Sequence, residues 1–296
     1  MRKEVVLGMA GAGGDGVISA GDTLLSSAAY DGLYARISKS FGPQIRGGES
    51  SFRLRVSTKK VRSMGNMLDV LLLLNVAIYE RFTYELPVSE NGLVLFEAAQ
   101  KDDIGRFQAS GHYKGEPVPV PFAELAEKTT GGQLAKNLVA LGVVSEIYNI
   151  APEKIKDGIK KRFAKKGEEV MTGNLNAFKA GREWARENLT AFDANRLEYE
   201  HGSPKMTITG DEASAAGAIF AGCDFYAGYP ITPATEIMQY MTRTLPKYDH
   251  TFVQAEDEIA SVAMCAGASF AGGKPFCATS GPGMSLKTEV IGMATM

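Results

Sequence analysis

Cysteine is scarce in this 296-residue chain, long apolar runs are missing, and neither sign of charge dominates. The three cysteines, Cys223, Cys265 and Cys277, form an odd, widely spaced set without a CxxC pair. That argues against a disulfide framework and against an iron–sulfur or zinc site built from this chain alone. No apolar run approaches the roughly 18 residues that cross a bilayer. Val70 to Leu74 within "LDVLLLLN", among the longest, has the length of a buried strand. Lysine and arginine number 32 against 34 acids, a formal net charge of −2. A phosphate backbone or an anionic membrane surface both need a basic face, so neither is the expected partner. The opening "MRKEVVLGMAGAGGDG" puts an acid before a short apolar run, which is neither a signal nor a transit peptide. The expected compartment is the cytoplasm.

Apolar residues make up 45% of the chain and charged residues 22%, an ordinary balance for a globular protein with room for two cores. Val5 to Met9 reads as a buried strand, Val17 to Tyr30 as a helix and Leu33 to Ile37 as a second strand. A loop, "SKSFGPQIRGGES", follows, broken by Gly42, Pro43, Gly47 and Gly48. "SSFRLRVS" alternates as a strand with one wet face, while Leu68 to Leu74 and Leu93 to Phe96 suit a sheet covered on both faces. Helical spacing then dominates from "TTGGQLAKNLVALGVVSEIYNI" through "PEKIKDGIKKRF", where Pro152 marks a helix start. Lys160, Lys161, Arg162, Lys165 and Lys166 read as the solvated end of that helix.

The composition turns polar and aperiodic in "TAFDANRLEYEHGSPK". The reading is a first domain over 1–190, a linker over 191–206 and a second domain over 207–296. In the second, helix and strand alternate: Gly210 to Ala221, Asp224 to Ala227, Pro233 to Thr244, Thr251 to Gln254, Asp257 to Ala271 and Phe276 to Thr279. That alternation implies α/β architecture with a parallel sheet. This unit is short for a closed domain, so the expectation is a truncated sequence with functional residues beyond Met296.

"GAGGDG", Gly11 to Gly16, matches G-x-G-x-x-G between a strand and a helix. A dinucleotide site also needs an acid about 20 residues on, at the end of the second strand. Asp31 has the spacing but falls before that strand, and Ser38, Lys39 and Ser40 stand where it ends. Asp15 moreover points a carboxylate at the place meant for phosphate. A tight packing turn is the favoured reading, and a NAD-dependent dehydrogenase remains the alternative. In the following loop, Arg46 between Ile45 and two glycines suits contact with a ligand or partner, or plain surface exposure.

In the second half, "GYPITPATEI" reads locally as a helix start, with Thr232 as N-cap, Pro233 at the first helical position and Glu236 in the first turn. Tyr229 and Pro230 are left at a strand's carboxyl end, the edge where open α/β sheets bind ligands. Glu256, Asp257 and Glu258 open a helix whose small residues, Ala260, Ala263, Ala266, Gly267 and Ala268, suit close approach by a subunit or a flat cofactor. "ATSGPG" adds a Gly-Pro-Gly turn after the next strand.

"GYPITPATEI", "EDEIASVAMCAGASFAGG" and "ATSGPGMSLKTE", in this order, resemble the pyrimidine-binding domain of the 2-oxoacid:ferredoxin oxidoreductases. "GAGGDGVISAGDTLLSSAAYDGLYARISKSFGPQIRGGESS" resembles the gamma domain of the same family, so the likeness covers nearly the whole chain in a fused gamma–alpha order. The resemblance implies a gamma domain with a mixed sheet flanked by helices, then the start of a doubly wound thiamine diphosphate domain. It implies oxidative decarboxylation of a 2-oxoacid, with 2-oxoglutarate the best match, to an acyl-CoA and CO2. By position in the motif, Glu258 is the carboxylate that bonds the cofactor's aminopyrimidine, in a dry site where burial favours its protonated form. Thr232 helps hold the substrate carboxylate, and Tyr229 and Pro230 shape the wall. Arg46, in the family's "FGP-x-IRGG" loop, lies near the entrance, in contact with substrate. A substrate-carboxylate arginine belongs downstream of the end of this chain. Mg2+, the diphosphate and a 4Fe–4S cluster fall to a partner beta subunit, leaving no metal site here. The chain is then inactive alone and works in a heterodimer, or a dimer of heterodimers, with ferredoxin as acceptor. A non-catalytic docking subunit is the remaining alternative.

Overall fold

The computed structural model describes residues 2–42, 48–109, 113–190 and 195–296. The chain forms two compact units, Met1–Thr207 and Ile208–Met296. In the first, strands β1 (Glu4–Gly11), β2 (Tyr34–Phe41), β3 (Ser50–Ser57), β4 (Leu68–Leu73), β5 (Val88–Glu97) and β6 (Val118–Val120) form one sheet in the order β2-β3-β1-β4-β5-β6. β4 runs parallel to β1, β5 to β4 and β6 to β5, whereas β3 is antiparallel to both β1 and β2. The apolar runs are continuous because both faces are covered. Val5, Leu7 and Met9 of β1 join one core, and Val6 and Ala10 the other. An irregularity between Leu68 and Val70 lets Leu68 share a face with Leu71 and Leu73.

The larger core lies under α1 (Val17–Tyr30), with α2 (Ile104–Ala109) on the opposite, thinner layer. Four more helices supply the larger core: α3 (Phe122–Thr130), α4 (Lys136–Tyr148), α5 (Pro152–Phe163) and α6 (Glu168–Asn188). α4 and α6 approach so closely that a methyl group on Gly142 would strike the Phe178 carbonyl, and one on Gly181 the Val139 carbonyl. Across this pair, buried Glu146 meets Arg182 at 2.7 Å and Arg186 at 3.2 Å, and Arg196 of the segment after α6 reaches it at 3.5 Å. Burial opposes ionisation of Glu146, but the bonds and charges of Arg182 and Arg186 outweigh it and hold its carboxyl below the usual range.

The glycine-rich turn is already filled. Gly14 and Gly16 adopt positive φ, and the Asp15 carboxylate accepts from the Ala12 N–H at 2.8 Å and pairs with Lys136 at 2.8 Å. A phosphate would have to displace that carboxylate. The second strand is also longer than its expected Leu33 to Ile37 span. It includes Ser38 to Ser40 because each pairs with β3. With β3 inserted, β2 stands two strands from β1, about 9.5 Å away, so its end does not flank the turn.

Asp31, which had the fingerprint spacing, has other work. It is buried and accepts from the Tyr199 hydroxyl at 2.6 Å, with His201 Nδ1 at 2.7 Å. The described part of the expected linker is therefore a strap on the first unit. Leu197 is buried and donates its N–H to the Tyr148 carbonyl, and Lys205 donates its own to Ala29. Leu197, Tyr199, His201 and Lys205 together dock a polar stretch that has no periodicity.

The second unit opens with α7 (Gly210–Phe220), whose N-cap Thr209 and Glu212 form a reciprocal capping box. Then come β7 (Phe225–Gly228), α8 (Thr235–Thr244), β8 (Thr251–Gln254), α9 (Glu258–Phe270), β9 (Pro275–Phe276) and α10 (Gly281–Ala294). The three strands are parallel in the order β8-β7-β9. Tyr226 anchors their core, stacked on Phe252 at 5.7 Å and edge-on to Phe276 at 5.9 Å. Among the described residues, no helix is long and apolar enough to cross a membrane.

Several boundaries of this unit differ from the sequence reading, most by one residue and three by more. α8 begins at Thr235, and Thr232 is not its cap: a turn from the Ile231 carbonyl to the Thr235 N–H comes first, containing a cis Thr232–Pro233 bond. β9 stops at Phe276, the last of its residues to pair with β7. Gly281-Pro282-Gly283 is the first turn of α10, where proline's missing N–H costs nothing.

Two outcomes follow for the first unit. Nicotinamide fluorescence should show no saturable change when the chain is titrated with NADH; micromolar saturation would restore the dinucleotide reading. Glu146→Gln should cost about 1.5–3 kcal/mol at neutral pH, the worth of charge-assisted bonds. The folded carboxyl titrates below its ordinary value of 4.5, so its stabilisation is present above that value and lost as pH falls through the folded one. Thermal unfolding should therefore show the gap between wild type and variant closing below that pH.

Candidate functional site

Parallel strands bring three loops to one sheet edge. Tyr229 to Ala234 follows β7, Ala255 to Asp257 follows β8, and Cys277 to Ser280 follows β9. From central β7 the chain moves to β8 on one side, then crosses to β9 on the other. Such a reversal leaves a crevice outside the carboxyl ends of the strands, the usual ligand position in open α/β sheets. A bond from the Ala255 N–H to the Gly228 carbonyl, 2.9 Å, fixes the β8 loop against the end of β7.

Of the three consecutive acids at that edge, only one turns inward. Asp257 is the N-cap of α9 and accepts from the Ala260 N–H at 2.7 Å. Glu256 is exposed, whereas Glu258, the first residue of the helix, is 7% exposed. The helix period sets this direction: Glu258, Ser261 and Cys265 form its buried face. Among the described residues the Glu258 carboxylate has neither a hydrogen-bond nor an ion-pair partner.

α10 closes over that carboxylate at a glycine. A methyl group on Gly283 would lie 2.9 Å from Glu258 Oε1, 2.8 Å from its Cγ, and against Thr279 Oγ1. Thr279 Oγ1 is itself buried without a hydrogen-bond partner. One turn after Gly283, Lys287 is buried too, beside the sulfur of Cys277. The hydrogen bond from Cys265 and the charge of Lys287 hold the Cys277 thiol down at about 6, against the opposing effect of burial. Cys265 is pushed up, first by its bond to Cys277 and then by burial.

The structure thus places Glu258 at the same edge as Tyr229, Pro230 and Thr232, which are all exposed. Arg46 lies outside the described residues. Sequence reasoning missed Thr279, Gly283, Lys287 and the thiol pair. Gly283 and Lys287 are four apart, a spacing that shares a helix face, but only as a helix does "GPGMSLKTE" show it.

Two family models match the chain. One, described as pyruvate ferredoxin/flavodoxin oxidoreductase, covers residues 6–184, and one described as pyruvate flavodoxin/ferredoxin oxidoreductase, thiamine diphosphate-binding, covers 216–296. The 2-oxoglutarate oxidoreductase subunit KorA of Mycobacterium tuberculosis is 28% identical over 99% of this chain and 49% of its own length. The 2-oxoglutarate synthase subunit KorA of Methanocaldococcus jannaschii is 58% identical over 30% of this chain and 24% of its own. Among solved structures, the 2-oxoglutarate:ferredoxin oxidoreductase from Magnetococcus marinus, with 2-oxoglutarate, coenzyme A and succinyl-CoA bound, is 35% identical. The match has a TM-score of 0.83 and covers 100% of this chain and 51% of that one. The chain therefore spans about half the length of the M. tuberculosis and M. marinus proteins.

Gly283→Ala should lower thermal stability by about 1–3 kcal/mol, the range for overpacking. Gly292→Ala on the same helix meets nothing and should be neutral or gain up to about 1 kcal/mol from helix propensity. Equal melting temperatures for the two variants would show that the approach of α10 to Glu258 is not tight.

Proposed function

Because this chain belongs to the pyruvate ferredoxin/flavodoxin oxidoreductase family, we propose that it serves in a 2-oxoacid:ferredoxin oxidoreductase with 2-oxoglutarate as substrate. In that reaction coenzyme A takes the acyl group, CO2 leaves, and the electrons pass to ferredoxin. The choice of 2-oxoglutarate rests on the names of the M. tuberculosis, M. jannaschii and M. marinus relatives.

The observation that carries the proposal is the buried, unpartnered carboxylate of Glu258 at the sheet's ligand edge. Its surroundings fit an aminopyrimidine: a flat ring needs the open crevice, and its polar edge needs a carboxyl with no other partner. The unpartnered Thr279 hydroxyl adds a second polar group beside Glu258. When bound, thiamine diphosphate supplies the nucleophilic carbon that adds to the keto group and the electron sink that lets CO2 leave.

In this reading Glu258 holds a proton against the pyrimidine ring nitrogen, and Gly283 keeps the space around Oε1 clear. The Thr232 hydroxyl donates to the substrate carboxylate, as it is free of a capping bond. Tyr229 and Pro230 wall the crevice and exclude water from the reacting carbon. Arg46 stands at the entrance toward the substrate. A partner beta subunit carries Mg2+, the diphosphate contacts and the 4Fe–4S cluster, in a heterodimer or a dimer of heterodimers in the cytoplasm. The chain alone is then inactive.

Glu258→Gln, made in the assembled complex, keeps the shape of the side chain and removes its acidity. Release of labelled CO2 from 2-oxoglutarate should fall by about a hundredfold or more, the scale of a lost proton-transfer group. Size-exclusion chromatography should show the complex intact. Near-normal turnover in an intact complex would sink the role given to Glu258.

A further inference from the structure

The thiol pair behind Glu258 has no part in the decarboxylation chemistry. Cys265 lies two turns along α9 on the same buried face, and its Sγ donates to the Phe276 carbonyl at 3.6 Å. Phe276 is bonded to Cys277, so the Cys265 sulfur sits against the peptide that leads into its partner. The two thiols are close enough that each shifts the titration of the other. Cys223, the remaining cysteine, turns away and donates to the Phe225 carbonyl at 3.4 Å.

The third member is Lys287, only 3% exposed. A buried ammonium needs a counter-charge. Among the described residues no carboxylate lies within ion-pair distance of it, and the group it meets is the Cys277 sulfur. A thiolate beside an ammonium is the arrangement that makes cysteine a nucleophile, and a neighbouring thiol is what resolves its oxidised form. Cys277 is half-buried at the ligand edge, within reach of a small oxidant.

We propose that Cys277, Cys265 and Lys287 form a peroxide-sensitive dithiol site that closes to a disulfide tying α9 to the loop after β9. The Cys277 thiolate attacks one peroxide oxygen: an S–O bond forms, the O–O bond breaks, and the departing hydroxide takes a proton from Lys287 to become water. The Cys265 sulfur then attacks the sulfenic sulfur of Cys277. An S–S bond forms, the S–O bond breaks, and the leaving hydroxide takes the Cys265 proton as a second water. Two electrons pass from the sulfurs to the peroxide, and external dithiol reverses the bond by exchange. The site stands on its own groups, whether or not Glu258 holds a cofactor.

Hydrogen peroxide treatment of the full chain, followed by tryptic mass mapping, tests it. Trypsin does not cut the Lys274–Pro275 bond, so Cys265 and Cys277 fall in one peptide, Tyr248 to Lys287. That peptide should lose the mass of two hydrogens and regain it with dithiothreitol, while Cys223 stays alkylatable. Cys265→Ser should leave a sulfenic acid on Cys277 that dimedone traps. Lys287→Gln should slow oxidation about tenfold, because less of Cys277 is then thiolate. Absence of the two-hydrogen loss in the wild-type chain, or oxidation of Cys223 as fast as Cys277, would overturn the site. An unchanged rate in Lys287→Gln would overturn the part given to the lysine.

Discussion

The second unit depends on how one helix start shares out its acids. A helix N-terminus offers free N–H groups, and the nearest suitable carboxylate takes them. Asp257 does so, in extended conformation one residue before α9, which leaves Glu258 without a capping duty. The helical period then turns Glu258 inward with Ser261 and Cys265. Gly283 lets the neighbouring helix come down over it, and the sheet edge leaves its other side open to the crevice. Remove the aspartate's cap and Glu258 becomes a second candidate for it; fill the glycine and the carboxylate is displaced.

The same economy explains the first unit's glycine turn. Its N–H groups are as good a phosphate receptor in principle as those of a dinucleotide fold. Here an internal carboxylate, Asp15, has taken an N–H of the turn and is locked by Lys136. Inserting antiparallel β3 between β1 and β2 removes the rest of the nucleotide geometry. Asp31, with the right spacing for a ribose, instead pins a strap of the chain through Tyr199 and His201. A pattern match survives in the sequence while every group that would make it a nucleotide site is committed elsewhere.

Much of the architecture was legible because it is encoded by close neighbours. Val17–Tyr30 was placed residue for residue from apolar spacing, and the start of Pro152–Phe163 from its first-turn proline. Strands β1 and β4 and the end of β5, buried on both faces, announced themselves as short apolar runs. Errors cluster where non-local pairing intervenes. Ser38 to Ser40 looked like a strand's exit and are strand because β3 lies beside them. "TSGPG" looked like a turn and is a helix start, because pairing with β7 ends at Phe276 and the chain is free to enter α10.

At the site the division is similar. That Glu256, Asp257 and Glu258 stand at a helix start, and that Tyr229 to Thr232 stands at a strand's end, could be read along the chain. Which acid is buried followed from capping and helix period, both local. That Thr279, Gly283, Lys287, Cys265 and Cys277 gather around the same helix could not be read, since each contact joins different elements. Sequence by itself determined the elements, their order and the residue types able to do acid–base work, because propensity and periodicity act over a few residues. Tertiary structure alone decided which of those residues meet. Burial and hydrogen bonding are settled between partners as far apart as Asp31 and Tyr199, 168 positions along the chain.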